Sequence, residues 1–132
     1  MLRAGVDIIE IERIDRAILR HGHRFFDRFF TPQELIESGG RTPALAARFA
    51  AKEAVAKVLG TGIGKVGWKE IEIINGPRRL PLLRLRGRAL EEARMLGLEV
   101  WSLSLSHTHE HAVAFVTALQ STDSEPPEVR DP

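Results

Sequence analysis

Apolar positions follow two rhythms along the chain, and the switches between them mark the elements. Gly5–Ile9, GVDII, is a short apolar run that predicts a buried strand. Ile11, Ile14, Ile18 and Leu19 then recur at helical spacing and predict a helix that stops at Gly22. His23–Phe30, HRFFDRFF, is the densest aromatic cluster. Thr31-Pro-Gln-Glu34 has the form of a capping box with proline at the first helical position, and Gly39-Gly40 ends the short helix it starts. Thr42-Pro43 predicts a second start of the same kind, for a longer helix that runs through RFAAKEAVAK (Arg48–Lys57) to a left-handed stop at Gly60. Thr61–Gly67, TGIGKVG, reads as a loop and Trp68–Ile74 as a strand. Asn75–Pro81 reads as a turn, and Leu82–Arg86 as a strand with Leu83 and Leu85 on one face. Arg88–Leu96 is a helix closed by Gly97. Val100–Ser106 alternates Trp101, Leu103 and Leu105 with three serines, and Ala112–Leu119 is close enough to form a hairpin with it. This order predicts an α+β fold, a mainly antiparallel sheet packed against helices, in one domain over residues 1–120.

Composition narrows the class. A chain of 132 residues with 43% hydrophobic content can bury one real core. It has no cysteine, which excludes disulfides and cysteine-based zinc sites and fits a reducing cytoplasm. No apolar run approaches the ~18 residues of a membrane span, and no secretory signal is evident. The net charge is +1, but residues 121–132 hold four acids and one arginine, so the first 120 residues carry +4 (1 minus −3). That segment reads as a disordered acidic tail. A mildly basic body suggests an anionic ligand or partner. Arginines without a basic stripe and interleaved aromatics do not suggest nucleic acid.

Candidate chemistry gathers on the long helix. With Arg48 at 0° and ~100° per residue, Ala51, Ala54, Val55, Val58 and Leu59 centre near 310°. Glu53 and Lys57 fall roughly opposite. The bland reading is a solvated i,i+4 pair worth ~0.3–0.5 kcal/mol. Against it stand Ala50 and Ala54, which let a bulky group approach, and Lys52 and Lys57, whose charge suits phosphates. The glycines of TGIGKVG offer backbone N–H groups to an anion, although the loop lacks P-loop spacing. Asp7 is an acid in an apolar run, which needs a pairing, water or a metal. Two carboxylates together with substrate phosphates are the usual way to hold Mg²⁺. His107, His109 and His111 would share a face in an extended segment, an arrangement open to zinc, but no HExxH-type spacing supports it.

GVDIIEIERI (Gly5–Ile14), RFAAKEAVAKVLGTGIG (Arg48–Gly64), WKEIEI (Trp68–Ile73), LRLRG after a Gly-Pro turn, and SLSHTHEHAVAFV (Ser104–Val116) come in the order of the holo-[acyl-carrier-protein] synthases. The chain resembles that family over about residues 3–119. The resemblance implies a 4′-phosphopantetheinyl transferase fold and an enzyme that moves the phosphopantetheine arm of coenzyme A onto a serine of apo acyl carrier protein. Adenosine 3′,5′-bisphosphate would be released, in the service of fatty acid biosynthesis. It implies Mg²⁺ on Asp7 and Glu53, with Lys57 as the helix lysine. Coenzyme A would meet Lys57, Gly60, Gly62, His107 and Thr108. Arg13, Arg16, Arg20 and Arg24 would dock the acidic carrier. It further implies a homotrimer with sites between subunits. The turn Gly76–Pro81 departs from the family's Gly-Lys-Pro type, and Arg78 or Arg79 is the candidate stand-in for its lysine. The alternative is a non-catalytic nucleotide-binding or interaction domain of the same fold. A third reading is a different metal-dependent phosphohydrolase.

Overall fold

In the first strand, β1 (Leu2–Glu10), side chains alternate between two environments. Gly5 and Ile9 are buried and Arg3 and Asp7 half-buried on one face, while Leu2, Val6 and Ile8 are exposed on the other. The strand runs straight into α1 (Ile11–His21), which Gly22 ends, and α2 (His23–Phe29) follows. Helix α3 (Pro32–Ser38) carries the expected capping box: the Glu34 N–H donates to Thr31 Oγ1 and the Thr31 N–H donates to Glu34 Oε1. Then come α4 (Thr42–Leu59), the hairpin β2 (Ile71–Asn75) and β3 (Pro81–Leu85), α5 (Gly87–Leu96), and the hairpin β4 (Leu98–His107) and β5 (His111–Gln120). The structure, a computed structural model, describes residues 1–121; the acidic segment expected to be disordered lies, apart from Ser121, outside the described residues.

The sheet order is β1-β5-β4, antiparallel throughout, with β2-β3 as a separate antiparallel pair. The α+β expectation holds. Helix α4 lies across the sheet against β1 and β5, and on its far side meets α3, β2 and α5. It is therefore buried nearly all round, not along the one stripe that its pattern predicted. Six alanines from Ala46 to Ala56 are each at most 6% exposed, and their small size lets neighbours close in from every side. Only Lys57 in its second half reaches solvent freely, with Glu53 half-buried.

Other local expectations shift. Helix α4 is capped from Arg41 without a side-chain bond, because the Thr42 hydroxyl donates instead to Asp15 Oδ1 at 2.7 Å. Trp68–Glu70 forms a 3₁₀ turn before β2, its start fixed by Trp68 stacking on Phe49 and meeting Phe29. Leu19 points to water while Ile11 and Ile14 are buried. HRFFDRFF is helical up to Phe29, and Phe25 and the extended Phe30 after it lie in the core.

Candidate active site

Strand and helix touch at Gly5. A Cβ there would stand 2.5 Å from the Ala54 carbonyl oxygen and 3.0 Å from Val58 Cγ2, closer than any side chain tolerates. That contact brings the inner face of β1 against the turn of α4 that carries Glu53 and Lys57. Lys57 Nζ donates to Asp7 Oδ1 at 2.9 Å and to the Val6 carbonyl at 2.9 Å. The ion pair thus runs from helix to strand, and Lys57 is not spent on the i,i+4 pair with Glu53 that the spacing suggested.

Burial, and then the Asp7 carboxylate beside it, push the Glu53 carboxyl up to about 7, against the opposing pull of Lys57 and Arg13. Two acids share one face with a single paired ammonium, and burial together with Asp7 favours the protonated form of Glu53. Such a donor set fits a hard divalent cation. Among the described residues no three His, Asp or Glu side chains converge. Asp7 and Glu53 would therefore hold such an ion through their carboxylates, with the other positions open to water or substrate oxygens.

The loop after α4 does something other than what its glycines suggested. Gly60 takes the left-handed conformation (φ 77°), as the end of the helix requires. Its N–H donates to Lys57 O, that of Gly62 to Ala56 O at 3.3 Å, and that of Gly64 to Val66 O at 3.1 Å. These N–H groups close the helix and the loop and are not free for an anion. What the loop offers is room: a Cβ at Gly62 or Gly64 would meet nothing within 4 Å.

Lys52 also corrects its reading. It is fully buried, ion-paired to Glu34 at 2.8 Å, and donates to the carbonyls of Trp68 (3.0 Å) and Ile71 (2.6 Å). Burial holds its ammonium below the usual lysine range, although Glu34 pulls the other way. It is not available to a phosphate. The sequence shows Lys52-Glu53 as one charged pair of letters, yet the two side chains leave α4 in different directions. Arg48 is likewise turned inward, donating to the Ile73 carbonyl and Asn75 Oδ1. Sequence reasoning gave neither residue a partner, because Lys52 pairs with positions 16 to 19 residues away and Arg48 with Glu37, Ile73 and Asn75, 11 to 27 residues away.

His107 ends β4, with Thr108 next in the turn, and His107 pairs through Ala112 to Ile9. Two strand spacings, roughly 10 Å, separate it from β1, so this chain does not bring these residues into the Asp7 cluster. Thr108 Oγ1 accepts the N–H groups of Glu110 and His111 and shapes the hairpin turn. That turn puts His107 on the sheet face of Ala112 and His111 on the opposite one, so the histidines do not share a face as an extended segment would have them.

Arg13, Arg16 and Arg20 are exposed on α1 and line a shallow hollow of about 240 Å³ with Ala17 and His21. Arg24, on α2, lines an adjoining hollow of about 370 Å³ that shares Ala17 and His21 and adds Phe25, Arg28 and Phe29. Arg13 also acts on Glu53 through its charge, so it links that hollow to the acid pair. Arg78 and Arg79 are exposed, both at positive φ (58° and 62°) in the turn before β3.

A family model for the 4′-phosphopantetheinyl transferase superfamily matches residues 3–116. A holo-[acyl-carrier-protein] synthase of Herpetosiphon aurantiacus is 46% identical over 126 residues, covering 90% of this chain and 99% of its own. One from Dehalococcoides mccartyi is 50% identical over 118 residues, covering 89% and 98%. The solved structure of the Helicobacter pylori holo-[acyl-carrier-protein] synthase in complex with coenzyme A superimposes with a TM-score of 0.80 at 32% identity, covering 88% of this chain and 99% of that one.

Proposed function

The chain belongs to the 4′-phosphopantetheinyl transferase superfamily and is an enzyme of that class, and on this premise we propose that it transfers 4′-phosphopantetheine from coenzyme A to a serine of an apo acyl carrier protein, releasing adenosine 3′,5′-bisphosphate. The observation that carries the proposal is the convergence of Lys57 on Asp7 at 2.9 Å, beside a Glu53 whose proton is held up to about 7. Asp7 and Glu53 would hold Mg²⁺ through their carboxylates, and such an ion would supply positive charge to offset the pyrophosphate oxygens. Lys57, 55% exposed, has a compact ammonium free to leave the Val6 carbonyl for a phosphate oxygen and to steady the charge on the departing bisphosphate. Open space at Gly62 suits close approach of a ligand backbone. Gly60 sets the direction of that loop, and both glycines bound the coenzyme A path together with Lys57.

His107 and Thr108 serve coenzyme A from a second copy of the chain, since their own strand keeps them away from the Asp7 cluster. The exposed apolar outer face of the sheet supports such an assembly: Leu2, Val6, Ile8, Val100, Phe115 and Leu119 are 44–65% exposed. A homotrimer with sites between subunits is the arrangement we propose, each subunit one domain over residues 1–120. Arg13, Arg16, Arg20 and Arg24 face outward around Ala17 and His21, which suits an acidic carrier. We place the reaction in the cytoplasm and in fatty acid biosynthesis; no helix among the described residues is long and apolar enough to cross a membrane.

Incubation with coenzyme A, Mg²⁺ and an apo acyl carrier protein, followed by intact mass, tests the reading. The carrier should gain the mass of one phosphopantetheine arm. An unmodified carrier with saturating coenzyme A and Mg²⁺ would overturn it and favour a binding domain of the same fold.

A further inference from the structure

On the outer face of the β2-β3 hairpin, away from α4, lies a second basic cavity of about 600 Å³. Glu72 and Arg84 are register partners across the hairpin, and Arg86 follows on the same face. Glu72 is 2% exposed. Its Oε1 faces both Arg86 at 3.0 Å and Arg84 at 3.4 Å, while Oε2 accepts the Thr31 hydroxyl at 2.6 Å. The two guanidinium groups are nonetheless about half exposed, at 54% and 49%. Their backbones are fixed, Arg84 within β3 and Arg86 by its N–H on the Glu70 carbonyl at 2.9 Å. Lys69 joins them on the cavity rim, beside an apolar wall of Ile74 and Pro32.

Charge does not balance here. Three cations line a cavity that holds one carboxylate, an excess of two. Neutralising Glu72 needs one guanidinium, and Thr31 already satisfies its other oxygen. Each arginine has five N–H donors in a rigid fork and spends few on Glu72. The buried carboxylate thus acts as a clamp that fixes two forks side by side, with donors left over toward the cavity. None of these residues belongs to the Asp7 cluster, the docking arginines or the proposed coenzyme A contacts.

We propose that this cavity binds a small phosphate monoester. A phosphate dianion matches the excess of two charges, and its tetrahedral oxygens can take paired N–H donors from both forks and the Lys69 ammonium. Ile74 and Pro32 give the ester's carbon skeleton a surface to lie on.

The test is a titration with inorganic phosphate and with glycerol 3-phosphate at ionic strength held constant with chloride, read by NMR at the side-chain N–H groups of Arg84 and Arg86. Saturable shifts with a Kd of about 1 mM or tighter are expected, tighter for the ester than for phosphate. Lys69→Ala, which touches no partner of Glu72, should weaken binding about tenfold. Arg84→Ala should weaken it at least as much, with circular dichroism to check its fold; should that variant unfold, Lys69→Ala decides. Lys57→Ala should leave these shifts unchanged, which separates the cavity from the transferase site. Shifts that rise without saturation, or that saturate alike in the Lys69→Ala protein, would overturn the proposal.

Discussion

Gly5→Ala would place one methyl group where β1 and α4 meet. The new carbon would stand 2.5 Å from the Ala54 carbonyl oxygen, a backbone atom that cannot swing aside as a side chain would. Ordinary contact begins at 3.4 Å, so strand and helix must separate by about 0.9 Å (3.4 minus 2.5). Overpacking of this kind costs ~1–3 kcal/mol in stability. The displaced strand carries Asp7 two residues on, and the carbonyl it strikes belongs to the residue after Glu53. The Asp7–Lys57 bond of 2.9 Å would stretch out of range or be kept only by distorting the strand. A misplacement of ~1 Å in a catalytic group typically costs about 10²-fold in rate. The assay is steady-state transfer at a temperature where melting curves show the variant folded, with Mg²⁺ varied. Expected are a lower kcat and a raised Mg²⁺ requirement, with the KM for carrier protein little changed. A folded Gly5→Ala protein with kcat within about twofold of the parent would refute the claim that this contact sets the site.

Three further outcomes follow from the same geometry. Burial and the Asp7 carboxylate push the Glu53 carboxyl up to about 7 from its ordinary 4.5, so the native state holds the proton more tightly. That contribution to stability is complete below about pH 4.5 and lost as pH rises through about 7, and Glu53→Gln should flatten the melting temperature across this window; a parallel slope in the variant would contradict the assignment. Lys52→Met leaves Glu34 charged and buried without its partner and should cost ~3–5 kcal/mol by denaturant melts, and a loss under ~1 kcal/mol would show the pair to be dispensable. Lys57→Ala should cost roughly 10²–10³-fold in kcat with little change in melting temperature, and Lys57→Arg should not restore it, because a planar fork cannot replace a compact ammonium; an unchanged kcat would reduce Lys57 to a partner of Asp7.

Local signals wrote much of this fold into the sequence. The capping box at Thr31 and the glycine stops at Gly22, Gly39, Gly60 and Gly97 depend on a few neighbouring residues and emerged as read. The β4-β5 hairpin did too, because its alternation reports one buried face. The grouping of Asp7 with Glu53 and Lys57 came from recognising motifs in their order, and no periodicity implies it; the ion pair between Asp7 and Lys57 is not part of that reading. What stayed hidden was set by distant partners. Helix α4 reads as one-sided because alanine carries little pattern, and the arrival of α1, α3, β2 and α5 buries its other sides. Lys52 reads as a phosphate contact because nothing within a turn announces Glu34 or the Ile71 carbonyl. The loop glycines read as donors because their bonds back to α4 depend on how the helix ends.

Strand β1 is a single sheet of backbone with chemistry on one surface and grease on the other. Asp7 looks toward α4, while Val6 and Ile8 on either side of it look out at whatever covers the sheet. The Val6 carbonyl is itself one of the two acceptors of Lys57. A push on the outer surface therefore reaches Asp7 and Lys57 across one peptide plane. A compound that wedges beneath Val6 and Ile8 would need no resemblance to any substrate to disturb the contact between Asp7 and Lys57.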